Sequence, residues 1–422
     1  MRHAVLLLIF SLSLLAENWP GWRGPSGDGI SLEKGIPVKW SATENIAWKV
    51  AVPGNGHASP VVWGDQVFLT ACLPDRQERV LLSLDRRTGK EQWRRVVVKS
   101  GLETLHRLNS RASGTPVTDG KRIFVTFMKI DGRKIPAPNV GSKRLITPGT
   151  IVVASYDMAG NKKWSVEIGN FISAHGYNVS PVLYKDLIII NGDHDGKSYL
   201  AALDRETGKE RWRVARKHGI RSYVTPIIRQ VGGRTQMVLS GSKAVTSYDP
   251  ATGKEHWTLD GPTEQFVASM VYNGQHFFVT GGFPERHILA IRPDGKGNVT
   301  DTHITWRAKR GAAYVPSPII VGKYFLVVSD SGIASCFRAA DGERLWMERL
   351  GGGHSASTVA VDGLAYFVSD QGVTTVLRPA AKFEVVAKNP LGQKISASPA
   401  ISQGQLFLRG HRHLFCIGTK NK

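Results

Sequence analysis

One stretch, Ala202-Leu-Asp-Arg-Glu-Thr-Gly-Lys-Glu-Arg-Trp-Arg213, recurs along the chain and limits what it can fold into. Leu84-Asp85 followed by Thr88-Gly89-Lys90-Glu91 and Trp93 is a second copy, and Tyr248-Asp249 followed by Thr252-Gly253-Lys254-Glu255 and Trp257 a third. Looser copies run from Tyr156-Asp157 to Gly160 and Trp164, and from Phe337 through Asp341-Gly342-Glu343 to Trp346. Each reads as a hairpin: an apolar alternating strand, a polar turn closed by Gly, and a strand that opens on an aromatic. Gly supplies the positive φ of such turns, and Asp and Thr bond the turn backbone. A unit copied in this way implies a repeat fold, whatever the length would otherwise suggest.

Upstream of each copy the order is constant. A Ser/Thr step opens an inner strand, a Gly turn leads to a very apolar second strand, and a loop leads to a third. The openings are Ser59-Pro60, Thr115-Pro116, Ser180-Pro181, Thr225-Pro226, Ser269-Met270, Ser317-Pro318, Ser357-Thr358 and Ser398-Pro399. Four short strands with tight turns need roughly 40 to 50 residues, the period of a propeller blade. Second strands such as Val67-Phe-Leu-Thr70 and Leu187-Ile-Ile-Ile190 are continuously apolar, as both faces of a blade pack on neighbours. The closing aromatics are Trp93, Trp164, Trp212, Trp257, Trp306 and Trp346, and the seventh unit offers Phe383-Glu-Val-Val386 instead.

The eighth unit ends after its third strand, Leu414-Phe-Cys-Ile417, while Ile46–Val52, with Trp48, is a fourth strand lacking the other three. Joining the two closes a ring and removes the exposed edges of an open array. The expectation is an all-β chain: a single eight-bladed β-propeller of four-stranded antiparallel blades over 46–422, closed by the N-terminal strand completing the last blade. Residues 17–45, with Trp19-Pro-Gly-Trp22-Arg23-Gly-Pro25, carry no strand pattern and are expected to pack irregularly on the body.

Arg2-His3, the apolar run Ala4 to Leu15 and Ala16 have the form of a signal peptide, 1–16. The run is short of the about 20 residues that span a bilayer, so the expectation is an exported protein, periplasmic or extracellular, without a transmembrane segment. Lys and Arg outnumber Asp and Glu by 55 to 34, a net charge of +21 that favours anionic neighbours. No nucleic-acid motif or basic block is present, so nucleic acid is not an expected partner. Cys72, Cys336 and Cys416 are far apart in apolar runs, the pattern of buried thiols rather than a disulfide framework.

The repeat, with 202–212 its best copy, resembles the quinoprotein-type, or PQQ-like, β-propeller family, whose units carry Ala-x-Asp-x-x-Thr-Gly-x-x-x-Trp. The resemblance covers about 46–418 and implies one of two roles. Dehydrogenase members imply a PQQ cofactor over the central funnel, a calcium ion held by Glu, Asn and Asp, and an Asp base. The alcohol-oxidising ones add a vicinal Cys-Cys disulfide, a pair this chain lacks. The other branch comprises non-catalytic exported scaffolds of the BamB type, usually anchored through a processed Cys that is also missing here. The expected function is therefore a monomeric envelope scaffold with no cofactor, binding a protein partner or an anionic or carbohydrate ligand. The alternative is a PQQ-dependent alcohol or sugar dehydrogenase, or another carbohydrate-acting enzyme.

In a propeller the residues before each inner strand should ring the channel mouth. Here they are Asn55, His57, Asn109, Arg111, His175, Tyr177, Asn178, Arg221, Tyr223, Gln265, Tyr314, His354 and Lys394. Such a ring, rich in Arg, His, Tyr and Asn and poor in carboxylates, suits an anionic or sugar-like ligand. Long segments at Val97–Ser113 and Lys129–Pro148 elaborate the same face and are the expected partner surface. Gly192-Asp193-His-Asp195-Gly196 lacks the further carboxylates of a calcium loop and reads as a tight polar turn. No Gly-x-Ser-x-Gly, His-Glu-x-x-His or phosphate-cradling loop occurs, so neither a catalytic residue nor a metal ligand is assigned.

Overall fold

Each apolar second strand is buried between two neighbouring sheets, and eight such sheets stand around one axis. The computed structural model describes residues 17–419, so the expected leader at 1–16 lies outside the described residues. Blade 1 shows the common order, with strands Val61–Trp63, Gln66–Leu73, Glu78–Asp85 and Glu91–Lys99, each antiparallel to the next. Ring closure is across the termini: Ile46–Ala51 pairs antiparallel with His413–Ile417, Trp48 opposite Cys416 and Lys49 opposite Phe415. Cys72, Cys336 and Cys416 are buried free thiols, and burial pushes the last two up to about 12.

The conserved order of the motif has one cause, a contact between successive blades. The indole N–H of each fourth-strand Trp donates to the main-chain carbonyl in the next blade's turn: Trp48 to Arg86 (2.8 Å), Trp93 to Met158 (3.0 Å), Trp164 to Arg205 (3.2 Å) and Trp212 to Pro250 (3.2 Å). Trp306 and Trp346 repeat it with Ala339 and Ala380. The turn Gly lies against the ring of the preceding Trp. A Cβ on Gly208, whose φ is +73°, would stand 2.7 Å from Trp164. Blade 4 departs from the pattern. Trp257 donates to Gln236 Oε1 (2.9 Å), and Gln236 Nε2 donates on to Pro293 O of the next blade (2.8 Å), so one amide bridges the gap.

Blade 7 corrects the sequence reading. Its fourth strand is Val385–Pro390, not a run opening at Phe383, and the position opposite Val376 that should hold Trp is Ala387. Phe383 packs edge-on against Trp346 of blade 6 instead, at 5.1 Å. Trp40 of the N-terminal segment fills the place beside Ala387: it stacks on Tyr366 at 6.3 Å, and its backbone N–H donates to Asn389 Oδ1 (3.1 Å). Motif spacing predicts a local aromatic, whereas the chain supplies it from its N-terminal segment.

Residues 17–45 run across the base of the ring. Trp19 bridges to Val62, Thr118 N–H donates to Pro20 O (2.8 Å), and buried Arg23 donates to Pro318 O (2.7 Å). Asp28 pairs with Arg229 at 2.9 Å, and Ile30–Ser31 adds a short parallel strand to blade 7. Glu33 accepts from the backbone N–H groups of Gln403 and Gly404 in blade 8. This segment thus ties blades 1, 2, 4, 6, 7 and 8 together. On the opposite face the fourth strand of blade 1 extends to Lys99, so the long connection is 100–116 rather than 97–113. The insertion of blade 2 folds into a small hairpin, Ile135–Pro136 with Leu145–Ile146.

Gly208→Ala sets a Cβ against Trp164 at a positive φ. It is expected to lower unfolding stability by about 2 kcal/mol or more, read as a lower denaturant midpoint with an unchanged slope.

Candidate functional site

Strand alternation decides which residues reach the channel. The residue two before each Ser/Thr step faces the axis, one per blade: His57, Ser113, Asn178, Tyr223, Val267, Val315, Ser355 and Ser396. All eight line a central cavity of about 130 Å³, together with Asn109 and Leu108. The step residues form a belt of hydroxyls around it. Ser59 N–H donates to Thr115 Oγ1 and Thr115 N–H to Ser180 Oγ, both at 3.0 Å. Thr225, Ser269, Ser317 and Ser357 each donate likewise to the step hydroxyl of the next blade, at 2.9 to 3.0 Å. Trp22 closes the lower end and also lines a cavity of about 410 Å³ under blades 2 to 4.

The expected mouth residues divide by register. His57, Asn178 and Tyr223 stand on the axis with Asn109. Residues three before the step turn between blades: Tyr177 packs edge-on against Phe171 at 5.1 Å within the apolar core, and His354 is 2% exposed. Tyr314 shares that position, with its backbone N–H on Asp330. Residues four before the step sit further out. Asn55 and Lys394 are exposed, Arg111 is half-buried, and Gln265 is buried with its backbone paired to Phe283. His175 lies against His106 and Tyr223, at 5.4 and 6.1 Å between ring centroids.

Carboxylates missing from the sequence ring arrive from the second-to-third-strand loop of blade 3 and from the 100–116 connection. Arg221, 3% exposed at its side chain, pairs with Asp195 at 2.8 Å, and Arg216 pairs with Asp193 at 2.9 Å. Arg111 lies 3.8 Å from Glu103, which is also bound by buried Arg79. These arginines sit beside carboxylates, while the residues that line the channel include neither Asp nor Glu, and Arg221 also anchors the blade 2 insertion through Asn139 O (3.2 Å). Asp193 and Asp195 face arginines, the arrangement of a tight polar turn. Burial lowers the pKa of His354 to about 4. Burial followed by the charges of Arg221, His106 and Arg144 lowers His175 to about 3. Both rings are neutral near pH 7.

A quinone with its calcium needs a wide funnel and carboxylate ligands. Small-molecule sites run to about 300–1,000 Å³; this channel is narrower, and its lining carries neither Asp nor Glu. Among the described residues no group of three or more metal-ligating side chains converges. The channel residues do not fit that cofactor.

A family model described as outer membrane protein assembly factor BamB matches residues 33–170 and 196–421. BamB from Moraxella catarrhalis superposes with a TM-score of 0.59 at 11% identity, covering 89% of this chain and 98% of that one. A europium-containing methanol dehydrogenase gives 0.53 at 11%, covering 93% and 89%. Quinohemoprotein alcohol dehydrogenase from Comamonas testosteroni gives 0.55 at 14%, covering 96% and 81%. These likenesses establish the fold alone. Comparison with curated proteins gives no match.

Two outcomes follow from the buried charges. Asp195→Ala strands Arg221 and is expected to cost about 3–5 kcal/mol, largely recovered in Asp195→Ala/Arg221→Met; urea titration of both variants checks this. His354 has a folded pKa below its unfolded one, so its contribution is intact above about pH 6.5 and is lost as pH falls toward 4. The melting temperature should drop across that window, and less steeply in His354→Gln.

Proposed function

The chain belongs to the family described as outer membrane protein assembly factor BamB, and on that premise we propose that it is an exported, non-catalytic propeller whose loop face docks a protein partner in the cell envelope. One observation carries the reading. Leu108, Leu145 and Phe283 are each more than half exposed on that face, in the 100–116 connection, the blade 2 insertion and the second-to-third-strand loop of blade 5. Arg107, Arg133, Lys134 and Lys143 are exposed around the first two. Exposed apolar groups rimmed by bases fit a protein surface with apolar anchors and an acidic rim.

The insertion is held for such a role. Asn139 Nδ2 donates to Asp195 Oδ1 (3.1 Å), Arg144 donates to Ala174 O (2.7 Å), and Thr104 N–H donates to Thr147 Oγ1 (2.8 Å). A pre-ordered loop loses less entropy on binding than a free one. The narrow hydroxyl-lined channel suits a structural axle better than a funnel for a sugar or a quinone. Among the described residues no helix is long and apolar enough to cross a membrane.

Affinity capture from envelope extract should recover a component of a β-barrel assembly complex, and Leu108→Glu/Leu145→Glu should abolish the capture with an unchanged melting temperature. Quinone absorbance in protein mixed with PQQ and calcium, with dye reduction on adding alcohol or sugar, would overturn the reading in favour of the dehydrogenase.

A further inference from the structure

We propose that the basal cavity under blades 2 to 4 docks an extended, uncharged segment of a second protein, an apolar residue followed by proline, on the inner-strand edges of blades 3 and 4. The site lies on the face opposite the exposed loops and does not depend on the partner reading above.

The first support is the register of the inner strands. Along an antiparallel ladder, pairs that exchange hydrogen bonds alternate with pairs whose N–H and C=O groups point away from the partner strand. The pair that closes the hairpin is of the first kind: Trp63 with Gln66 in blade 1, Tyr184 with Leu187 in blade 3. The residue before it, three after the Ser/Thr step, therefore turns both groups to the free edge beside the axis. Val62 in blade 1, Thr118 in blade 2, Leu183 in blade 3 and Ala360 in blade 7 hold this place. The hairpin of blade 4 is longer by two residues, which keeps Ile228 in the same phase.

The second support is what covers this edge elsewhere. The N-terminal segment lays its own backbone on three blades. Val62 and Trp19 exchange N–H···O bonds, both 2.9 Å, Thr118 N–H donates to Pro20 O at 2.8 Å, and Ala360 N–H donates to Gly29 O at 2.8 Å. The segment meets blade 4 through Asp28 and Arg229, and makes no hydrogen bond with blade 3 among the described residues. There the N–H and C=O of Leu183 and the N–H of Ile228 have no hydrogen-bond partner, while Ile228 O accepts from Arg229 Nη1 at 2.8 Å. Blades 3 and 4 thus lack what Trp19-Pro20 gives blades 1 and 2: a residue that donates and accepts, then one that only accepts. Proline has no N–H and holds the residue before it extended.

The third support is room beside these two edges. Leu183 and Ile228 both line the cavity of about 410 Å³, whereas Tyr272, Ile320 and Ile401, at the same place in blades 5, 6 and 8 and likewise unpaired among the described residues, do not. The volume is that of a small-ligand site. Trp22, Val117, Val182 and Ile227 give it an apolar wall, and Pro25 and Ser26 stand exposed at its rim. Asp28 and Arg229, the charged residues of the lining, pair with each other at 2.9 Å. The cavity thus offers no unpaired charge, which favours an uncharged segment. In strand addition, main-chain bonds to an open edge give affinity and the adjoining wall selects the side chain.

The probe is the peptide acetyl-Asn-Trp-Pro-Gly-amide, which copies residues 18–21. Titrated into the full chain, it should bind saturably by calorimetry. Methylating the Trp amide nitrogen of the probe removes the donor for Leu183 O and should weaken binding about tenfold. Leu183→Pro removes an N–H that points off the sheet, so the ladder is kept. It should weaken binding likewise at an unchanged melting temperature, and the methylated probe on wild type serves as the test should this variant misfold. Leu108→Glu/Leu145→Glu should leave probe binding intact, which separates this site from the loop-face partner. No saturable binding at millimolar concentration, equal binding of the two probes, or equal binding by wild type and folded Leu183→Pro would overturn the proposal.

Discussion

An indole handed from one blade to the turn of the next is the contact on which this ring rests. The Trp sits on the Gly of the neighbouring turn and donates to a carbonyl beside it, so two residues of the motif serve one blade and two serve its neighbour. Burying the indole removes a large apolar area from water, and the hydrogen bond satisfies its only polar atom. Each blade is therefore incomplete alone, and closure through Trp48 is a necessity rather than an ornament. The two departures obey the same demand: Gln236 relays the bond where the turn is displaced, and Trp40 fills the space where the motif has lost its Trp.

The axis is held by a second, weaker set of contacts. Backbone N–H groups of the Ser/Thr steps donate to hydroxyls of the next blade, a relay that leaves the channel polar, neutral and narrow. Charge is kept off the axis. It is concentrated in buried Arg–Asp pairs of blades 3 and 4 and in the arginines around the blade 8 to blade 1 seam. The seam is also where the two ends of the chain meet, and there Arg409 lies opposite Gly56.

Much of the architecture was legible because it depends on short-range rules. Continuous apolar runs marked the second strands, and Gly with Asp and Thr marked the turns. The unmatched Trp strand at one end and the missing strand at the other required each other. The site was legible only in part. The residues before each Ser/Thr step supply the channel lining, but a strand turns successive side chains to opposite sides. One residue of register separates His57, Asn178 and Tyr223 on the axis from Tyr177 and His354 between blades. Serines and valines of the same ring carried no chemical signal and were passed over.

The sequence by itself determined the strand order, the number of blades and the way the ring closes, since hydrogen-bonded hairpins and apolar periodicity are written within a few tens of residues. Only the tertiary structure decided which charges meet. Asp195 lies 26 residues from Arg221, and Gly56 lies opposite Arg409 at the other end of the chain. Such pairings are set by how loops of neighbouring blades stack around the axis, a geometry with no local pattern to announce it.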